Sequence, residues 1–197
     1  MSEFSTAAPY RVRQAPARAR YDHETAHAIL DEGLVAHIAF ASEAGPVAIP
    51  MFYVRDGQRV LIHASRKSRL MLSLIEGAPL CLTVTHVDGL VMARSAFRHT
   101  MNYRSVMVHG SATPLAAEEK VAAMALFVER VKAGRSAEVR APNKQELKAT
   151  EVLAIPLVDV VAKQRTGGPN DDEADLSLPV WAGVVPVTSV YGTPIDA

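Results

Sequence analysis

Two Asp-Gly pairs, Asp56-Gly57 and Asp88-Gly89, constrain this chain more than any other feature. Each lies between apolar segments. Asp-Gly suits the tight turn of a two-residue hairpin, because glycine takes positive φ without a steric penalty. Strands joined this way run antiparallel, whereas a doubly wound parallel sheet needs helical crossovers. The pattern therefore predicts a mainly β fold, an antiparallel barrel with helices at its periphery.

The remaining elements follow from period and punctuation. Asp22 is placed to cap a first helix and Gly33 to stop it, with Ala26, Ile29 and Leu30 facing inward. Leu34 to Phe40 reads as a strand, followed by a turn at Ser42–Gly45. Val47 to Val54 reads as a second strand whose Pro50 cannot donate to a ladder, so it is irregular or at an edge there. After Asp56-Gly57 comes a third strand, then a helix from Ser68 to Glu76. Pro79 to Val87 and Leu90 to Phe97 read as two strands joined at Asp88-Gly89, followed by a strand from Tyr103 to Gly110. Val121, Met124, Val128 and Val131 predict the inward face of a helix over 117–131. A short helix over 144–150 and a final strand over 152–162, broken at Pro156, complete the barrel. Residues 1–20, rich in Ala, Pro and Arg, read as a flexible N-terminal arm, and 21–166 as the barrel domain. Residues 167–197 read as an extension packing on the barrel or on a partner subunit.

The chemically distinctive stretch runs from Val60 to Arg69. An apolar strand ends at His63, turns through Ser65, Arg66 and Lys67, and enters a helix at Ser68 and Arg69. Hydroxyls, a guanidinium fork and a mobile ammonium at a strand-to-helix turn suit a phosphate. An ordinary capped helix start with surface cations looks the same from local sequence alone.

Lys+Arg and Asp+Glu both number 21, so the formal net charge is zero. That argues against a nucleic-acid binder, which carries a basic footprint. Cys81 is the single cysteine, so no intrachain disulfide forms and a reducing compartment fits. No apolar run is long enough to span a bilayer, and the arginine-containing N-terminus lacks the apolar core of a signal peptide. The expectation is a cytoplasmic protein. His37, His63, His86, His99 and His109 show no metal-ligand spacing, and no metal is expected. Asp171-Asp172-Glu173 and Asp175 read as a solvated loop.

Three segments in order carry a resemblance: Ala48-Ile49-Pro50-Met51-Phe52-Tyr53; Leu61-Ile62-His63-Ala64-Ser65 leading into Ser68-Arg69; and Met101-Asn102-Tyr103-Arg104-Ser105-Val106 ending at Gly110. Together they resemble the pyridoxamine-5'-phosphate-oxidase-like superfamily, and more closely its flavin-nucleotide-binding, nitroimidazole-resistance-type branch. The resemblance runs from about Tyr21 to Trp181 and implies a split β-barrel homodimer holding FMN between subunits. It implies that the backbone of Ala48, Ile49, Pro50 and Met51 borders the flavin ring, with His63 beside it as a catalytic candidate. It further implies that Ser68 and Arg69, with Ser65 and Lys67, hold the phosphate, that Ser105 touches the flavin, and that Trp181 approaches it from the other subunit. Adjacent Arg104 and Ser105 point to opposite faces of their strand, so Arg104 is left as a dimer or ring-edge contact. Trp181 also suits a plug at a subunit interface. After Trp181 this chain has Ala182-Gly183-Val184-Val185-Pro186, with no arginine or histidine to grip pyridoxine phosphate.

The function so implied is an FMN-dependent oxidoreductase acting on an unknown small molecule. The alternatives are a non-catalytic flavin-nucleotide carrier or sensor, and a haem- or deazaflavin-binding member of the same superfamily.

Overall fold

The computed structural model of the chain describes residues 2–196. Ten strands form an antiparallel sheet: β1 Ala19–Arg20, β2 Val35–Ser42, β3 Gly45–Asp56, β4 Arg59–Ser65, β5 Leu80–Met92, β6 Thr100–Gly110, β7 Thr113–Pro114, β8 Thr150–Pro156, β9 Asp159–Arg165 and β10 Gly183–Pro186. Their order is β1-β9-β6-β5-β2-β3-β4-β8-β7, with β10 added to β5. The sheet does not close; it is a split barrel. Among the described residues four α-helices lie around it: α1 His23–Glu32, α2 Arg69–Ile75, α3 Lys120–Val131 and α4 Lys144–Ala149.

The helix boundaries follow the local chemistry. Asp22 accepts the Thr25 amide at 2.8 Å, and Gly33 closes α1. Ser68 accepts the Met71 amide at 3.3 Å and caps α2. Ala26, Ile29 and Leu30 of α1, with Leu70, Met71 and Leu74 of α2, enter the main core among Ile38, Ile62, Leu82 and Leu153. Tyr53 is wholly buried there and donates its hydroxyl to the Leu30 carbonyl at 2.6 Å. A Cβ on Gly33 would come within 2.5 Å of that hydroxyl, so this position excludes any side chain.

Several expectations are corrected. Asp88-Gly89 is not a hairpin: β5 runs straight through it with a register shift between Val87 and Gly89, and the turn comes later, over 93–99. Glycine inside a strand marks a bulge or a close backbone approach. Here it does both, since a Cβ on Gly89 would meet Val184 of β10 at 2.8 Å. The final strand expected over 152–162 is two strands. Pro156 ends β8, which pairs with β4, and β9 pairs with β6. The inward face of α3 is also shifted, to Ala123 and Phe127, which meet Leu61, Val152 and Ala154 in a smaller second core. Val121 and Val131 are exposed, and Met124 is only partly buried. One phenylalanine fills the space over the sheet better than the valine stripe.

The N-terminal segment, expected as a flexible arm, lies on its own chain. Phe4 is 5% exposed within the main core and stacks on His23 at 3.9 Å. Thr6 donates to the Val160 carbonyl, Ala7 N–H donates to Asp159 at 2.6 Å, and Tyr10 stacks on His109 at 4.1 Å. Of the acidic run, Asp172 and Glu173 are exposed as expected, but Asp171 is not solvated. Asp171, its side chain 2% exposed, takes the backbone N–H and guanidinium of Arg94, and Asp172 takes Arg98.

Phe4→Ala is expected to lower the unfolding free energy by about 3 kcal/mol, the cost of truncating a core phenylalanine. Chemical denaturation measures this, and a freely moving arm would give no change.

Candidate functional site

The site begins with a change of partner inside one strand. Gly45 to Phe52 of β3 pair with β2, while Tyr53 to Asp56 pair with β4. Residues 45–52 thus have a sheet neighbour on one side only, and Pro50 falls within this half, as the missing N–H predicts. Past Ile62, β4 in turn leaves β3 and continues against β8 through Ser65. The sheet opens at this point.

The expected flavin-bordering residues line that opening. Ala48 and Pro50 expose their side chains on the outer face, whereas Val47, Ile49 and Met51 turn theirs toward the main core. Ile49 and Met51 can therefore offer only backbone. On β2, His37 is exposed directly across from Pro50. Sequence reading passed over His37 because a histidine at the polar phase of an alternating strand carries no signal until the register is known.

His63 stands on β4 just past the opening. Its ring meets Phe127 of α3 edge-on at 4.4 Å, and Phe52 lies 5.8 Å from the same phenylalanine. Burial holds the His63 pKa below its ordinary value of 6.5. The ring is therefore neutral at pH 7, able to donate from one nitrogen and accept at the other. Phe52 and Phe127 were not expected here; a large aromatic one position off the valine stripe of α3 is the signal that marks Phe127.

Ser65 to Arg69 follow at once. Ser65 Oγ accepts the Lys67 amide at 3.3 Å, and the Ser68 amide donates to the Ser65 carbonyl at 2.9 Å, so the turn is tight. The Arg66 amide donates to Ala149 O at 3.0 Å and its guanidinium to Lys148 O at 3.4 Å, tying the turn to α4. Lys67 and Arg69 are exposed, and among the described residues neither forms an ion pair. Arg69 also borders a surface cavity of about 560 Å³ with Ser42, Ser73 and Glu76. The donor set is chemically suited to a phosphate group, with Ser68 Oγ already engaged as the helix cap.

Two expected site residues lie elsewhere in the chain. Ser105 is on β6, separated from β3 by β2 and β5, and its hydroxyl donates to the Lys163 carbonyl at 3.3 Å. Trp181 is 66% exposed and folds against Gly183 at the start of β10. Arg104 faces away from Ser105 and is bound within the chain, by Glu32 at 2.5 Å and Asp88 at 2.7 Å. Among the described residues no group of His, Cys, Asp and Glu is arranged to hold a metal ion, and no helix is long and apolar enough to cross a membrane.

A sheet split at one strand, a histidine at the split and free cations beyond it now stand beside a direct comparison. The model of the family described as pyridoxamine 5'-phosphate oxidase matches residues 22–164. The chain belongs to the pyridoxamine 5'-phosphate oxidase family. Solved structures in the same fold agree. The flavocytochrome Anf3 from Azotobacter vinelandii is 36% identical, with a TM-score of 0.93 over 97% of this chain and 89% of that one. The FAD and heme binding protein from Mycobacterium smegmatis is also 36% identical, with a TM-score of 0.88 over 91% and 89% of the two chains. A 5-nitroimidazole antibiotic resistance protein from Bacteroides thetaiotaomicron shares the fold at 15% identity, TM-score 0.63, over 74% and 86%. No curated protein matches the sequence. The family's matched region contains every expected site residue except Trp181.

The histidine environments set a pH dependence. Burial lowers the pKa of His63, and it is the largest influence lowering His27 and His109 as well. The unfolded chain therefore takes up protons near the ordinary value of 6.5 that the folded chain refuses until lower pH. Stability is full above that value and falls as the pH drops through it toward the lowered folded values. Between pH of about 7.5 and about 5.5 the melting temperature is expected to decline, and His63→Gln is expected to reduce the slope. An unchanged slope in the variant would mean that the His63 ring takes its proton as freely folded as unfolded.

Proposed function

We propose that this chain binds a flavin nucleotide at the opening between β3 and β4, and that it works as an oxidoreductase on a small molecule. The observation that carries the reading is the unpaired half of β3 lying beside His63 and the unneutralised Lys67 and Arg69. A flat polar ring system suits an exposed strand edge, where backbone N–H and C=O groups are free to hydrogen-bond. Lys67 and Arg69 take the phosphate by charge-assisted hydrogen bonds, and the Ser65 turn holds them in place. His63, neutral and packed against Phe127, donates to or accepts from a group at the ring or on the substrate. The bound flavin supplies the electron or hydride transfer; the chain supplies orientation and electrostatics.

FMN is the flavin that the resemblance implies, while the two 36% identical relatives are named for a flavocytochrome and for FAD and heme binding. The ring and the first phosphate are common to FMN and FAD, so the same residues serve either. A homodimer belongs to this reading. The outer faces of β2 and β3 expose Val35, Ala39, Ala48 and Pro50, an apolar surface that a second copy of the chain would cover.

The purified protein is expected to be yellow, and mass analysis of the extracted cofactor identifies the flavin. Arg69→Ala is expected to weaken FMN at least tenfold, by about 1.5 kcal/mol or more, and riboflavin hardly at all. Equal weakening of both would remove the phosphate assignment. Reduction of the bound flavin by NADH or NADPH, with reoxidation by an added acceptor, supports an enzyme; a flavin that neither accepts nor passes on electrons supports a carrier.

The heme named for the second relative favours one further reading, in which the chain also holds a haem. His37, exposed on an apolar sheet face, is a residue of the type that ligates haem iron. A Soret band on haem addition that is lost in His37→Ala supports it, and a band unaffected by that change excludes His37 as the ligand.

A further inference from the structure

The charges of this protein are balanced in number but not in place. Arg55, Arg59, Arg94, Arg98, Arg104, Arg135 and Arg140 each hold a carboxylate. Among the described residues other cations lack such a partner, and three of them lie at the outer face of β9. Arg165 is half-buried, yet it donates only to neutral acceptors: Asn102 Oδ1, Gly167 O at 3.1 Å and Gly168 O at 2.9 Å. Lys163 spends one proton on the Gln14 carbonyl at 3.1 Å and has two more. Arg18, exposed, lies near enough for its like charge to press on Arg165, adding to the burial that already lowers the Arg165 pKa. Among the described residues none of the three forms an ion pair.

The register brings hydroxyls to the same face. Ser105 stands across from Lys163 and Tyr103 across from Arg165. The arm is held in a costly shape to complete the group. Ala15 adopts φ 54°, left-handed and unfavourable for a residue with a Cβ, and the turn Pro16–Arg18 follows directly. Repelling cations, neutral ligation and local strain all oppose this arrangement in the empty protein, and an oxyanion would relieve the repulsion.

We propose that Arg18, Lys163 and Arg165, with the hydroxyls of Ser105 and Tyr103, form a second oxyanion seat that takes the phosphate of a phosphorylated small molecule. Its residues are carried by β6, β9 and the arm, whereas Lys67 and Arg69 follow β4. It does not depend on the flavin reading.

Inorganic pyrophosphate is the probe, titrated calorimetrically into the full chain carrying Lys67→Ala and Arg69→Ala, which silences the other cations. Saturable binding is expected. Adding Arg18→Ala or Lys163→Gln should weaken it about tenfold each, and the loss should shrink in high salt. Arg165 is left intact because it also ties down Gly167 and Gly168, and unchanged melting of the variants checks their folding. No saturable binding, or binding unaffected by both changes together, overturns the seat. Its source is then read from flavin titrations with Lys67 and Arg69 restored. If Arg18→Ala and Lys163→Gln weaken FAD but not FMN, the seat holds the outer phosphate of the flavin. If pyrophosphate alone is weakened, the seat holds a second phosphorylated ligand.

Discussion

The architecture turns on β3 having two neighbours in succession, β2 up to Phe52 and β4 from Tyr53. Backbone N–H and C=O groups must be paired or wet, so a strand that leaves one partner before gaining the next on its other side creates an edge. In β3 that edge spans Gly45 to Phe52, and β4 diverges past Ile62. The divergence places His63 where α3 can lay Phe127 over it, which desolvates the imidazole and keeps it neutral. The end of β4 then enters the Ser65 turn, on which Lys67 and Arg69 are exposed. Edge, neutral histidine and free cations are consequences of one strand's pairing.

A second constraint is how the arginines are used. Most exposed ion pairs contribute little, on the order of 0–1 kcal/mol. The pairs that matter here join distant segments with a buried partner. Asp171 is almost wholly covered while it holds both the main chain and side chain of Arg94, fixing the tail against the β5–β6 turn. Lys120 and Glu151 similarly tie α3 to β8, with both side chains largely buried. Arg104 bridges Glu32 and Asp88, locking the end of α1 to the bulge in β5. Among the described residues, the cations left without a carboxylate include those at the β4–α2 turn and those along the outer face of β9.

What could be read in the sequence follows from the range of the interactions. Caps are local, so Asp22, Ser68 and Gly33 were legible, as was the inward face of α1. Pro50 was legible because the missing N–H constrains any strand. Asp88-Gly89 misled because a glycine in a hairpin and a glycine in a bulge give the same local signal; only Val184, almost a hundred residues on, distinguishes them. The arm and Asp171 misled for the same reason. Alanine-, proline- and charge-rich composition suggests solvation, but a single phenylalanine at position 4 and two arginines at 94 and 98 suffice to anchor these segments. Of the expected site, Ala48 to Met51, His63 and the 65–69 turn form one neighbourhood, while Ser105 and Trp181 do not join it within the chain.

That separation bears on assembly. A single chain presents the β3 edge and the 65–69 turn toward one end of its sheet order and a hydroxyl- and cation-bearing face toward the other. Two surfaces of one chain can meet twice when two copies are related by a two-fold axis, each serving the other. The proposed dimer would then cover the outer faces of β2 and β3. It would also cover the apolar row of Val185, Leu90 and Met101, which lie side by side across β10, β5 and β6 and remain about half exposed in the isolated chain. The hairpin carrying that row extends beyond β2, whose pairing with β5 stops at Thr83, and its tip bears Phe97, 88% exposed. An apolar tip on a projecting hairpin is costly in water and useful against a partner. In the proposed dimer the same projection would set the β5–β6 hairpin against the partner.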